Sequence, residues 1–326
     1  MKLTDSHGRK INYLRLSVTD RCNMRCFYCM PMEGIVKTGH DAVLSYEELF
    51  HIAETAVGLG IEKIRITGGE PLIRSGLVGF LKRLAGIPGL RHLALTTNGL
   101  LLEQMAGELS RAGVQRLNIS LDSLIPETFA KITRGGDLRL VLSGLDAAER
   151  AGFPPPKINC VIMRGVNDAE VINFAERTLN HGNSIRFIEY MPVVREYGWQ
   201  RYSVSGNEIL QRIAAHYPLK QLDKGQFSGP SRDYCIPGAR GSIGIITAVS
   251  GHFCIDCNRI RVTSTGQAKG CLFSDSETDL IPWLRPPDHR GLAEVLRRIV
   301  STKPERHDIS EQGYTHKNFK MSQIGG

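Results

Sequence analysis

Asp20-Arg21-Cys22-Asn23-Met24-Arg25-Cys26-Phe27-Tyr28-Cys29-Met30-Pro31 sets three cysteines at intervals of four and three residues, directly after an apolar β-branched run at 11–18. A strand followed by a thiol-rich loop is the start of a ligand site. Three thiolates can hold three corners of a four-iron cube and leave the fourth iron open to another ligand. The other uses of such cysteines are a disulfide with a spare thiol, a zinc knuckle, or a redox pair at Cys26 and Cys29. The first residues, Met-Lys-Leu-Thr-Asp-Ser-His-Gly, form no apolar export segment, so the expected compartment is the reducing cytoplasm, where structural disulfides are rare. Zinc asks for a fourth ligand close by, and the loop offers none.

Outward from that loop, apolar runs at 62–67, 91–97, 115–121, 156–162 and 185–190 alternate with helical patterns near 45–59, 75–86, 101–112, 138–151 and 168–181. Ser45 with Glu48 reads as a capping box, and Gly60 closes that helix. Six βα units predict an α/β chain built as a partial (βα)6 TIM-like barrel, two units short of a closed one. After about residue 220 the pattern changes. Residues 222–241 are rich in Gly, Pro and Ser and read as a connection; a strand at 242–249, a cysteine-rich region at 253–273 and a helix at 288–301 follow. The expected division is 1–221 for the barrel and 222–326 for a C-terminal cluster module. In parallel α/β folds ligands gather at the carboxyl ends of strands. The cysteine loop, Gly68-Gly69-Glu70-Pro71, Thr96-Thr97-Asn98-Gly99, Ser120 and Met191 all fall there.

With 326 residues and 41% apolar content the chain can bury a large core. No stretch of eighteen consecutive apolar residues is present, so no membrane span is expected. The net charge of +8 asks for an anionic partner. The absence of a long Lys/Arg block or a basic patch interleaved with aromatics argues against nucleic acid. A nucleoside triphosphate meets the same imbalance.

Cys254, Cys257 and Cys271 form a second thiol set. A Cys3His zinc site using His252 is one reading, and an iron–sulfur cluster with another open iron is the other. Arg259 and Arg261 follow at once; on an extended chain both guanidiniums project to one side, as a phosphate clamp would.

Taken together, the cysteine loop resembles the signature of radical S-adenosylmethionine enzymes, and the whole set of motifs resembles one of their families, the GTP 3′,8-cyclases of molybdenum cofactor biosynthesis. The motifs are Asp20 to Pro31, Lys63-Ile-Arg65-Ile-Thr67-Gly-Gly-Glu-Pro-Leu72, Leu117-Asn-Ile-Ser-Leu-Asp-Ser123, Arg186-Phe-Ile-Glu-Tyr-Met-Pro192, the Cys-Asn-Arg-Ile-Arg run and the terminal Gly-Gly. The resemblance implies two [4Fe-4S] clusters, the first on Cys22, Cys26 and Cys29 and the second on Cys254, Cys257 and Cys271. It implies S-adenosylmethionine near Tyr28, Gly69, Ser120 and Met191, and GTP held by Arg15, Arg65, Thr96, Lys157, Asn258, Arg259 and Arg261. The implied reaction is hydrogen abstraction from ribose C3′ of GTP and attack of that carbon on guanine C8. The resemblance further implies that the product passes to a cyclic pyranopterin monophosphate synthase, that a homodimer is by analogy the candidate assembly, and that the Gly325-Gly326 end reaches into the active site. Cys160 and Cys235 lie outside both thiol sets, Cys160 in an apolar run and Cys235 in a loop. Two other readings compete: a peptide-modifying radical enzyme, and a basic zinc protein that binds nucleic acid without catalysis.

Overall fold

The computed structural model describes residues 3–34, 39, 42–191, 198–223, 229–251 and 254–307. The expected βα units are present: β1 (Tyr13–Ser17), α1 (Tyr46–Gly58), β2 (Lys63–Thr67), α2 (Leu77–Ala85), β3 (His92–Thr97), α3 (Leu102–Arg111), β4 (Arg116–Ser120), α5 (Leu138–Arg150), β5 (Lys157–Ile162), α6 (Val171–Asn180) and β6 (Ser184–Glu189). Strands β1 to β6 pair in parallel and in sequence order. The capping box forms: Ser45 Oγ accepts from the Glu48 amide at 3.2 Å, and Glu48 accepts from the Ser45 amide at 2.6 Å. Gly60, at a φ of +102°, turns the chain from α1 towards β2, a conformation that penalises residues with a Cβ.

Two helices carried too little pattern to be predicted. Helix α4 (Pro126–Thr133) has eight residues and no side-chain cap, so its periodicity is short. Helix α7 (Gly206–Ala214) starts at Ser205, whose side chain accepts from the Glu208 amide. The later strands are β7 (Lys220–Gln221), β8 (Arg232–Cys235), β9 (Ser242–Ile246), β10 (Arg259–Val262), β11 (Gln267–Lys269) and β12 (Thr278–Asp279), before helix α8 (His289–Ser301).

Among the described residues, twelve strands make one open mixed sheet in the order β12-β11-β10-β1-β2-β3-β4-β5-β6-β9-β8-β7. Strand β10 lies parallel to β1 at one edge of the six-strand array, and β9 lies parallel to β6 at the other. Along each strand alternate residues face the helices and the concave side. Leu14, Leu16, Ile64, Ile66, Leu93, Leu95, Ile158 and Ile185 are buried in the main apolar core, while Tyr13, Arg15, Lys63 and Arg65 line the concave face. No helix among the described residues is long and apolar enough to cross a membrane.

At the carboxyl end of β6, the buried Glu189 accepts from the amides of Gly206 at 2.6 Å, Val249 at 2.8 Å and Ser250 at 2.9 Å, and from the Ser250 hydroxyl. One carboxylate thus ties β6 to the start of α7 and to the segment after β9. Glu189→Ala leaves the buried amides of Gly206 and Val249 unsatisfied and is expected to cost about 3 kcal/mol. Denaturant unfolding measures it, and an unchanged midpoint would show that the loops are held by other contacts.

Candidate active site

The cysteine loop is held open from three directions. Gly69 donates its amide to the Thr19 carbonyl at 2.7 Å and Glu70 donates to Arg21 at 2.8 Å, so the segment after β2 runs alongside the loop backbone. A Cβ on Gly69 would overlap the carbonyl oxygen of Arg21. The glycine therefore serves the approach of two backbones, besides lining the cavity. From the second side, the end of α4 lends its free carbonyls: the Arg25 amide donates to Thr133 and the Phe27 amide to Ile132, each at 3.1 Å. Arg134, in the left-handed conformation at a φ of +57°, donates to the Met30 carbonyl at 3.1 Å. From the third side, Asn98 Nδ2 donates to Asn23 Oδ1 at 2.8 Å and sits 3.8 Å from Cys22 Sγ.

Glu70 is a helix-start carboxylate. It caps the short turn Pro71–Ile73 and accepts from Leu72, from the Thr97 hydroxyl and from the Asn98 amide at 3.0, 2.7 and 2.7 Å. Burial pushes its carboxyl up to about 7 against the pull of those donors.

Cys22, Cys26 and Cys29 open onto one cavity of about 230 Å3 at the concave face. Burial raises the thiols of Cys22 and Cys26, and neighbouring negative groups raise Cys26 further: Asp122 first, then Cys29 and Cys22. Three such thiols in one enclosure suit a cationic iron cluster that takes them as thiolates. All eight cysteines are free thiols. Three thiols around one enclosure are the donor type that an iron–sulfur cluster takes. The same cavity is lined by Tyr28, Gly69, Ser120 and Met191. Tyr28 donates its hydroxyl to Asp122 Oδ2 at 2.7 Å, and Asp122 Oδ1 accepts from the Val161 amide at 2.8 Å. Burial lifts the Asp122 carboxyl to about 6 and, together with Asp122, holds the Tyr28 phenol well above its usual range.

The opposite wall is cationic. Register places Arg261, Arg15 and Arg65 side by side on β10, β1 and β2, with Arg259, Tyr13 and Lys63 in the next row. On the far strands Thr96, Asn118 and Lys157 share one row, and Ser120, Asn159 and Arg186 another. Among the described residues that line the cavity, Asp122 is the sole carboxylate. The side-chain atoms Arg65 Nε, Arg186 Nε, Thr96 Oγ1 and Tyr13 Oη are buried without a hydrogen-bond partner. Burial and mutual repulsion lower Lys157 to about 7, with Arg186, Lys63 and Arg65 as its cationic neighbours, and lower Lys63 to about 8. Burial raises the Tyr13 phenol, but Arg65, Arg15, Lys63 and Arg259 bring it down to about 7.

Of the residues that the resemblance assigns to a cluster, S-adenosylmethionine or GTP, Asn258 alone lies off both this cavity and its neighbour: its Nδ2 donates to Asn12 Oδ1 at 2.8 Å. The sequence reading missed Tyr13, Lys63, Asn159 and Arg186. The first three stand two places from a residue it did select, which is the period of a strand face, and Arg186 opens one of the motifs quoted. Cys254, Cys257 and Cys271 line a neighbouring cavity that shares Arg259, Arg261, Leu272 and Phe273 with the first. Burial raises Cys254, whereas Arg259 and Lys303 outweigh burial at Cys257 and bring it down to about 6. Residues 252 and 253, Pro192 and the Gly325-Gly326 end lie outside the described residues, so the zinc reading that uses His252 and the reading of the tail do too. Cys160 is buried, and Cys235 is half-buried on β8 rather than in a loop.

The profile of the Radical SAM superfamily matches residues 16–178, and that described as Molybdenum Cofactor Synthesis C matches 183–309. In fold the chain is similar to Streptococcus suis SuiB bound to S-adenosylmethionine, with a TM-score of 0.58 at 12% identity over 88% of this chain and 67% of that one. SuiB bound to the precursor peptide SuiA gives 0.59 at 13% identity, covering 88% and 68%. The chain is a radical SAM protein, as the superfamily profile spans half of it. A GTP 3′,8-cyclase of Geobacter sulfurreducens is 63% identical over the full length of both chains, and one of Alkaliphilus oremlandii is 44% identical over 99% of this chain and 100% of its own. Within the superfamily, the chain therefore belongs to the GTP 3′,8-cyclase family.

Gly69→Ala forces the Asp20–Arg21 backbone to move and is expected to cost about 1–3 kcal/mol. The displaced cysteine loop should hold less iron after anaerobic reconstitution. Denaturant midpoints and iron analysis check both, and parental values for the two would show that the loop yields without loss.

Proposed function

We propose that this chain binds GTP across its cationic wall and converts it to 3′,8-cyclo-7,8-dihydro-GTP, with S-adenosylmethionine consumed to methionine and 5′-deoxyadenosine and two electrons taken from an external one-electron reductant, the first step of molybdenum cofactor biosynthesis. The observation that carries the substrate is the row Arg261–Arg15–Arg65, with Lys63, Arg259, Lys157 and Arg186 around it. Like charges on adjacent strands, roughly 4.8 Å apart, repel. A triphosphate spreads enough negative charge over enough oxygens to meet several of them at once. Cys22, Cys26 and Cys29 would hold one iron–sulfur cluster, whose chemistry when bound is one-electron reductive cleavage of S-adenosylmethionine.

The chain's own residues orient and enclose. Tyr28, fixed by Asp122, together with Gly69, Ser120 and Met191, flanks the thiol side, where S-adenosylmethionine would lie. Arg15, Arg65, Thr96, Lys157, Arg259 and Arg261 would take GTP, and Tyr13, Lys63 and Arg186 join that set. Asn258 would act through its backbone or through β10, given its bond to Asn12. Fixing the triphosphate on one wall places the ribose between the walls, so C3′–H faces the thiol side and water is excluded. A second cluster on Cys254, Cys257 and Cys271 would meet the guanine, because its cavity shares Arg259 and Arg261 with the first. The division at 221/222 then separates radical generation from base positioning. The product would pass to a cyclic pyranopterin monophosphate synthase, and the working unit would be a homodimer in the cytoplasm.

The test is an anaerobic reaction of reconstituted protein with GTP, S-adenosylmethionine and a reductant. Formation of 5′-deoxyadenosine together with the cyclised nucleotide is expected; deoxyadenosine alone would overturn GTP as the substrate. The buried amines give a second check. In the free protein Lys157 loses its proton near pH 7, and a bound triphosphate favours the ammonium, so GTP binding should take up protons above neutrality and weaken as pH rises. Tyr13 acts in the same direction, since the anion raises its phenol. Calorimetric titrations in buffers of different ionisation enthalpy should show uptake that shrinks in Lys157→Met; proton release would contradict this placement of the phosphates.

A further inference from the structure

The second thiol set rests on a buried lysine that the proposed reaction does not use. Lys303, just beyond α8, is 3% exposed. Its Nζ lies 3.4 Å from Cys257 Sγ and donates to the carbonyl of Arg259 at 3.2 Å and to that of Gly270. These acceptors belong to two pieces of chain: the stretch from Cys257 into the first residue of β10, and the residue before Cys271. An ammonium has three N–H donors, and here each has an acceptor. Carbonyl dipoles alone are poor compensation for a buried full charge. Cys257, as a ligand of a bound cluster, would present the anionic sulfur that answers it.

Two further observations place the lysine by design of the fold. Gly270 has no side chain where α8 ends: a Cβ there would lie 3.2 Å from the Ile299 carbonyl oxygen and 3.5 Å from the Lys303 Cβ. Arg9, paired with Asp5 at 2.5 Å, donates to the carbonyls of Cys254 at 2.8 Å, Glu305 at 2.8 Å and Pro304 at 2.6 Å. Residues 303–305 are thus clamped between the N-terminal segment and the cysteine loop, with Lys303 reaching Cys257 and the backbone beside Cys271 while Arg9 reaches Cys254.

We propose that Lys303, braced by Arg9, is the positioning residue that sets both the geometry and the reduction potential of an iron–sulfur cluster on Cys254, Cys257 and Cys271; this rests on the two-cluster reading above. A cation hydrogen-bonded to a ligand sulfur favours the reduced, more negative cluster and raises its potential. The bond also fixes which way the Cys257 sulfur points.

The experiment uses the full-length chain with Cys22→Ala, Cys26→Ala and Cys29→Ala, so that after anaerobic reconstitution the second set alone can hold a cluster. Iron and acid-labile sulfide, the rate of iron loss to a chelator, and the midpoint from a titration followed by electron paramagnetic resonance are compared with and without Lys303→Met. Iron loss should become about 10-fold faster and the midpoint more negative. Lys303→Arg, which keeps the charge, should stay near the parent midpoint. Lys303→Gln, neutral but able to donate, should shift it as Met does and serves where Met impairs folding. Equal midpoints in the parent and the neutral variants would overturn the role of Lys303. A triple-cysteine background without iron and sulfide would instead overturn the two-cluster reading and this inference with it.

Discussion

The concave face of the sheet carries like charge at the spacing of neighbouring strands. Arg261, Arg15 and Arg65 occupy consecutive strands at one register level, and Lys63, Arg259, Lys157 and Arg186 surround them. Such a face is tolerable because the opposite face of the same strands is apolar and covered: Leu14, Leu16, Ile64 and Ile66 pack into the helical layer. Hydrophobic burial on one side holds in register the repulsion on the other. The chain therefore folds into a shape whose inner wall gathers positive charge, the property on which the proposed triphosphate site rests.

Buried acids are spent elsewhere. Glu70, Glu170 and Glu189 lie at or above the carboxyl ends of strands and each accepts from backbone amides or hydroxyls of neighbouring loops: Leu72, Thr97 and Asn98 for Glu70, Ser123 and Leu124 for Glu170, Gly206, Val249 and Ser250 for Glu189. Asp122 does the same with Val161 and Tyr28. Carboxylates used as loop staples do not neutralise the arginines, so the scaffold is rigid without quenching the site. The cysteine loop profits directly, because Asn98, held by Glu70, is the residue that reaches Asn23 and Cys22.

The six βα units and the thiol loop were legible because their signals are local: alternation along strands, the Ser45 capping box, two cysteine spacings. What was illegible depends on distant partners. Helix α4 has one short turn pattern, and its importance comes from carbonyls that meet Arg25 and Phe27 about a hundred residues earlier. Asn258 sits beside the cavity-lining Arg259 and Arg261 in sequence, yet its side chain turns to Asn12, because alternation on a strand sends neighbours to opposite faces. Lys303 follows a helix end with no motif around it; only the fold sets it against Cys257.

Strand β10 is the piece through which these parts act on one another. It pairs with β1 across a sequence separation of more than 240 residues, and that pairing brings Arg259 and Arg261 into line with Tyr13 and Arg15. The same four residues of strand follow directly on Cys257, so the thiol set and the cationic rows cannot shift independently. Leu272 and Phe273, just after Cys271, close the wall common to the two cavities. A shift of β10 by one residue would turn Arg259 and Arg261 away from the cavity and move Cys257 off Lys303 at once. Parallel pairing with β1 on one side and antiparallel pairing with β11 on the other fixes that register, and with it the distance between the cationic wall and the thiols beyond it.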